Sequence, residues 1–247
     1  MRVAVVGYGK MGREVAAVLR DRHHEPVMTL RGSDFPAGCP VGIDFTQPDA
    51  VIANATAALK AGARYVIGTT GWDAQLPDLK KLVGETKGGV VHAANFSLGV
   101  NLFYKVVRDA AQLFARFPDY DPYIVEKHHR QKKDAPSGTA RALAKILETA
   151  PGPRKKGITE FEGAIPDDRF HVSAVRAGGI VGEHTVGFDS GGDEILLEHR
   201  ARTRRGFALG AVLAAEWLVG RSGLHTFEEV VDDLAKPSSS AGPSSRP

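Results

Sequence analysis

Residues 1–12 read MRVAVVGYGKMG. Arg2 to Val6 is a short β-branched run closed by glycine, which predicts a strand covered on both faces. Gly7-Tyr8-Gly9-Lys10-Met11-Gly12 follows as G-x-G-x-x-G, and REVAAVLRDR then places Val15, Ala16, Val18 and Leu19 at helical spacing. In a strand–loop–helix context each glycine has a task. Gly7 permits the tight turn, Gly9 lets the backbone approach a pyrophosphate, and Gly12 lets helix and strand pack closely. The anion would rest on unpaired N–H groups at the positive end of the helix. A plain βα turn is the competing reading of the hexamer taken alone.

The same rhythm continues outward from this loop. PVMTL (26–30), VGIDFT (41–46), ARYVIGTTG (63–71) and VVHAANF (90–96) read as strands, with helices through VIANATAALKAG and LPDLKKLVGETKGG between them. Strands alternating with helices of about 10–15 residues imply a parallel, doubly wound α/β sheet. After Phe96 the pattern changes. NLFYKVVRDAAQLFARF reads as a long amphipathic helix, DPYIVEKHH as a strand entering a charged loop, and SGTARALAKILETA as a helix. FHVSAVRAGGIVGEHTVGF and DEILLEHRAR alternate and carry glycine turns, as antiparallel strands do. Two regimes therefore predict two domains, one at 1–96 and an α+β unit at 97–206. The apolar helix from Phe207 and the short helix TFEEVVDDLA fit either. The tail KPSSSAGPSSRP offers nothing to a core, so 237–247 is expected to be disordered.

Composition narrows the function. The 247 residues are 43% hydrophobic and 25% charged, as in an ordinary globular protein. No apolar run approaches the ~18 residues of a membrane span, and the N-terminal run is too short for a secretory signal. The lone cysteine, Cys39, points to a reducing, cytoplasmic setting. A net charge of +3 with 7% aromatics argues for small anions rather than nucleic acid.

The acid that usually binds a ribose 2′-hydroxyl, about 20 residues past the glycine loop, is missing. Thr29-Leu30-Arg31-Gly32-Ser33 occupies that place. Arg31 and Ser33 suit a 2′-phosphate, which favours NADPH; a solvated strand-end charge is the alternative, and Asp34 could reach the ribose. Gly68-Thr69-Thr70-Gly71 and Ala93-Ala94-Asn95-Phe96 follow strands, so they fall on the ligand edge of such a sheet. Turn chemistry alone competes for either loop.

Residues 126–134, EKHHRQKKD, are the most unusual stretch. Imidazole exchanges protons near neutral pH, and a lysine among cations can donate one. The cluster would draw a multiply charged anion. Adjacent His128 and His129 cannot easily share a metal, and the single cysteine supplies no further site, so no metal is expected. Ser137 can cap the following helix, leaving the N–H groups of Gly138 and Thr139 as a carboxylate pocket. The residues alone thus describe a nicotinamide-dependent reductase of a small acid. An amino-acid dehydrogenase or a silent nucleotide sensor would share part of this pattern.

EKHHRQKKDAPSGTA resembles the signature of the dihydrodipicolinate (4-hydroxy-tetrahydrodipicolinate) reductase family. The resemblance extends in order through GYGKMGREV, DFTQPDA, VIGTTGW, AANFSLGVN, RAGGIVGEHTV and GAVLAAEWLVG…SGL. It implies a Rossmann domain at 1–96 plus 207–236 and a substrate-binding and tetramerisation domain at 97–206; with the two sites on different domains, hinge closure is expected near 96–100 and 205–208. It implies NAD(P)H-dependent reduction of a cyclic dicarboxylate in diaminopimelate and lysine biosynthesis by a homotetramer. Carried onto this chain, His128 acts in proton transfer and Lys132 is the proton donor. His129, Ser137, Gly138 and Thr139 bind substrate. Nucleotide contacts fall on Gly7, Tyr8, Gly9, Lys10, Met11 and Gly12, on Arg31, on Gly68, Thr69 and Thr70, and on Ala93, Ala94, Asn95 and Phe96. Two departures stand out. Many members have one more residue in the glycine loop, and many carry an acid where Leu30 or Arg31 stands, which puts a preference for NADH in doubt.

Overall fold

The computed structural model describes residues 1–30, 34–152 and 155–236. Arg31, Ser33 and the tail 237–247, on which expectations were placed, lie outside them. The chain divides into two compact units, residues 1–98 with 207–247, and residues 99–206.

The first unit is built on six parallel strands: β1 (Arg2–Val6), β2 (Glu25–Thr29), β3 (Val41–Asp44), β4 (Arg64–Ile67), β5 (Gly89–His92) and β11 (Gly223–Thr226). Their order across the sheet is β11-β5-β4-β3-β1-β2. Chain order reverses at the β1–β3 junction, which is where open α/β sheets open a crevice. Val3, Ala4, Val5 and Val6 are fully buried because both faces of β1 are covered. Val3 and Val5 join a cluster with α1 (Lys10–Asp21), α6 (Arg205–Leu218) and α7 (Phe227–Leu234). Val6 joins another with α2 (Val51–Lys60) and α3 (Leu76–Thr86). The two helices near the C-terminus therefore share the core cluster of the first strand. The edge strand β11 is not legible in the sequence, because its four residues, GLHT, carry one glycine and a single β-branched side chain.

The second unit is a five-stranded mixed sheet of order β10-β9-β6-β8-β7. Its strands are β6 (Asp121–His128), β7 (Lys156–Ile158), β8 (Arg169–Arg176), β9 (Glu183–Asp189) and β10 (Glu194–Arg200). One face is covered by α4 (Leu98–Phe114) and α5 (Gly138–Glu148), whose Phe103, Val107, Leu143 and Leu147 meet Ile124, Val172 and Val186 of the sheet. The 169–200 region differs from the antiparallel expectation in one respect. β9 and β10 pair antiparallel, but β8 runs parallel to β6, which lies between β8 and β9. Two strands joined through a crossover helix come out parallel, and α5 is that helix.

Candidate active site

Four loops of the first unit emerge at the carboxyl ends of adjacent parallel strands, β1, β3, β4 and β5. Backbone bonds tie the β1 loop to β2, through Gly7 N–H to Thr29 O at 2.9 Å, and stitch the four to one another: Phe45 N–H to Val6 O at 3.1 Å, Gly68 N–H to Asp44 O at 2.8 Å, and Ala93 N–H to Ile67 O at 3.3 Å. The glycine loop has the backbone that its sequence demands. Gly7 takes φ +99°, and a Cβ on Gly12 would stand 2.0 Å from Gly7 O. Around Gly9 a Cβ would meet nothing within 4 Å, so the loop presents open backbone. Gly9 caps α1 without a side-chain bond, which leaves the first N–H groups of the helix available. These features fit a dinucleotide pyrophosphate. Tyr8 and Lys10 are exposed, and the Arg13 guanidinium lies 5.0 Å from the centre of the Tyr8 ring. Leu30 is exposed just past β2, beside the residues expected to meet a 2′-phosphate.

The other nucleotide candidates divide between backbone and side-chain duty. Thr69 is buried and its hydroxyl donates to Asp44 at 3.1 Å, so its side chain serves the fold. Asp44, fully buried at the end of β3, also accepts from Tyr65 OH at 2.8 Å, from Thr46 Oγ1 at 2.6 Å and from Asn54 at 3.0 Å. This carboxylate ties the β3 and β4 loops together, a role that the sequence reading missed. Gly68 is half-buried and Thr70 exposed. Phe96 packs its ring 4.9 Å from that of Phe227 in the core, while Ala94 just before it is exposed and Ala93 and Asn95 are half-buried.

The second unit gathers at the end of β6 the residues expected to handle protons. Alternation along this strand turns Ile124, Glu126 and His128 to the buried face. Glu126 has no exposed surface, and its carboxylate accepts from His128 Nδ1. The same carboxylate takes both ends of the Arg176 guanidinium, at 3.0 and 2.6 Å, and the N–H of Ser137 at 3.0 Å. Burial pushes the Glu126 carboxyl up, but Arg176, His128 and Ser137 together outweigh it, and it is held below the usual carboxylate range. Burial also pushes His128 down, against the pull of Glu126 and with Lys132 and Arg176 reinforcing the fall. The result is a neutral imidazole on an ionised carboxylate. Lys132 follows after a turn in which its N–H donates to His129 O at 3.1 Å, and its ammonium meets Asp134 at 2.7 Å. His129 is half-buried beside it.

Ser137 caps α5 as its sequence predicts, accepting from Ala140 N–H at 3.1 Å. It is buried, and its hydroxyl pairs with His184 Nε2 at 3.0 Å, so it faces inward rather than toward a ligand. Gly138 is exposed at the first turn, where an added Cβ would meet nothing within 4 Å, and Thr139 bonds the phenol of Tyr104. Glu126, His128 and His184 offer ligand atoms within 4.8 Å of one another, but the Arg176 guanidinium already occupies both carboxylate oxygens. A cavity of about 500 Å³ between Phe114, Phe170, Phe188, Lys155 and Arg169 contains none of these residues. It opens at the Asp121 end of β6, ~23 Å along the strand from His128 at the usual rise per residue.

His184 carries a pH consequence. Desolvation first, and then the neighbouring His128, depress it to about 4. Between about pH 4 and 6.5 the unfolded chain binds a proton there that the folded chain does not, so stability falls on acidification through that window. At about 1.4 kcal/mol per pH unit the loss is on the order of 3 kcal/mol. Chemical denaturation at pH 7 and pH 4.5 should show a steeper loss for the native chain than for His184→Gln; equal slopes would refute the assignment.

Comparison with known proteins covers both units. The family model described as dihydrodipicolinate reductase, C-terminus, matches residues 99–231, and the one described as dihydrodipicolinate reductase, N-terminus, matches 28–96. A 4-hydroxy-tetrahydrodipicolinate reductase from Christiangramia forsetii is 37% identical over 244 residues, covering 96% of this chain and all of the relative. Another, from Methanocorpusculum labreanum, is 43% identical over 201 residues, covering 77% of this chain and 75% of the relative. Among solved structures, dipicolinate-bound dihydrodipicolinate reductase from Paenisporosarcina sp. TG-14 superposes with a TM-score of 0.74 at 28% identity, covering 93% of this chain and 98% of that one.

Proposed function

The chain belongs to the dihydrodipicolinate reductase family, and from that premise we propose how its residues divide the work. Its activity is the NAD(P)H-dependent reduction of 4-hydroxy-tetrahydrodipicolinate to tetrahydrodipicolinate, a step of diaminopimelate and lysine biosynthesis. One hydride and one proton are taken up and one water leaves. When bound, the nicotinamide cofactor supplies the hydride. Gly7, Gly9 and Gly12 with the open end of α1 hold its pyrophosphate, and the backbone of Gly68–Thr70 and Ala93–Phe96 lies along the rest.

The observation that carries the proton-handling assignment is the His128 ring fixed on buried Glu126 within a few residues of Lys132 and the open first turn of α5. Lys132 donates the proton, His128 shares in its transfer, and His129 with the Gly138 and Thr139 N–H groups receives substrate carboxylates. The Ser137 side chain assists only by capping. No metal is required, because cations and backbone dipoles already face the charge that develops. Arg31 and Ser33, with Lys10 and Arg13 in the first turn of α1, favour the extra phosphate of NADPH. The helix-free face of the second sheet exposes Val175 and Leu196 between charged neighbours, which supports pairing of copies into a homotetramer. No helix among the described residues is long and apolar enough to cross a membrane. The buried free thiol of Cys39 suits the reducing cytoplasm.

The cofactor assignment is tested by Michaelis constants for NADPH and NADH with freshly made 4-hydroxy-tetrahydrodipicolinate. NADPH should have the lower constant, and Arg31→Glu should raise it about tenfold while sparing NADH, as loss of one phosphate partner implies. Equal effects on both cofactors would remove Arg31 from the 2′-phosphate.

A further inference from the structure

The RAGGIVGEHTV stretch, residues 176–186, has no task in the reaction as described so far. In the structure both of its ends reach His128. Arg176, at the end of β8, grips Glu126 through both terminal nitrogens and also donates to Asp134 O at 2.7 Å. Gly182, just before β9, faces the other side of the ring, where a Cβ would stand 3.1 Å from His128 Nε2. His184 lies with its ring 5.2 Å from that of His128.

We propose that Glu126 and Arg176 are positioning residues that lock His128 in the tautomer protonated on Nδ1, so that Nε2 is the ring nitrogen left for the reaction. This rests on the reading of His128 as a proton-transfer group. Glu126 alone would accept the Nδ1 proton but would also draw the ring toward its charged form. Arg176 divides that carboxylate's charge and holds it rigid by two parallel bonds. Ser137 N–H fixes a third point, so the carboxylate cannot rotate. Nε2 has no hydrogen-bond partner among the described residues, and Gly182 keeps a side chain away from it. The charged and titratable groups facing the ring are Glu126 on its own strand, Lys132 and Asp134 in the following loop, Arg176 on β8 and His184 on β9.

The two residues should act in opposite directions. Glu126→Gln removes the anion and admits the other tautomer, because an amide can either accept from or donate to Nδ1. The His128 titration should move down by about one pH unit, and kcat should fall about tenfold or more at unchanged KM for NADPH. Arg176→Met frees the whole carboxylate charge for the ring, and the titration should move up by a similar amount. The test is nitrogen-15 and carbon-13 NMR of labelled histidine in the full-length native protein and both variants, which reads tautomer and titration without needing turnover. A native His128 protonated on Nδ1, with shifts of opposite sign in the variants, is the expected result. A native ring protonated on Nε2, or variants that shift together or not at all, overturns the proposal. If Arg176→Met does not fold, the native spectrum and Glu126→Gln decide the matter. His128→Asn separates the underlying reading: full turnover in that variant ends the catalytic role of His128 whatever its tautomer.

Discussion

Lys132→Ala lowers turnover by about 10²–10⁴-fold, the usual worth of a positioned general acid, and leaves the dissociation constant for NADPH within about twofold. The two effects separate because Lys132 belongs to residues 99–206, whereas the glycine loop and its neighbours belong to the other unit. Hydride addition to an electron-poor ring builds negative charge that only a proton can quench. Lys132 stands after the β6 turn with its ammonium held by Asp134 at 2.7 Å, so the proton is presented from a fixed place. Removing it also removes a cation from the proposed dicarboxylate pocket, so the KM for substrate should rise as well. Steady-state NADPH oxidation and fluorescence titration of NADPH give the two numbers. A variant that lost nucleotide affinity and kept kcat would contradict the assignment.

Gly12→Ala is expected to abolish tight nucleotide binding. The new Cβ would stand 2.0 Å from Gly7 O and 3.1 Å from Gly7 C, and both atoms belong to the turn that holds φ +99°. Backbone cannot swing aside as a long side chain can, so either α1 retreats or the turn opens. Overpacking of this kind costs about 1–3 kcal/mol, and alanine's helix preference over glycine returns at most about 1 kcal/mol. The Kd for NADPH should rise about tenfold or more, since the displaced N–H groups are those proposed to meet the phosphates. Gly84→Ala is the matched control. It lies inside α3, where an added Cβ meets nothing within 4 Å, so the same substitution should stabilise by up to about 1 kcal/mol. Similar behaviour of the two variants would mean that close approach at Gly12 does not govern binding.

Much of this was legible in the chain itself, and the gaps have physical causes. A continuous apolar strand, a glycine loop and a helix at 3.6 spacing define one half of the fold within about twenty residues. The direction of β8 was misread because alternation shows which face a residue takes but not which strand lies alongside. The helix between DPYIVEKHH and FHVSAVR was the signal that could have given it. Glu126 is the instructive omission. It stands two residues before His128, so strand parity alone puts both on one face, yet a charged residue in a charged run reads as solvated. Its burial depends on Arg176, fifty residues later on a neighbouring strand. Ser137 shows the converse: the cap was legible, but the inward use of its hydroxyl depends on His184 across the sheet. Asp44 escaped for the same reason, since Tyr65, Asn54 and Thr69 come from three other segments.

The central claim is that this chain moves hydride from a reduced nicotinamide into a cyclic dicarboxylate. The direct measurement is mass spectrometry of the product formed from NADPH carrying deuterium at both C4 positions and freshly made 4-hydroxy-tetrahydrodipicolinate. Carbon-bound deuterium in tetrahydrodipicolinate, one atom per NADPH oxidised, is the predicted result. NADPH consumed with no label in that product, or no consumption at all, would contradict it.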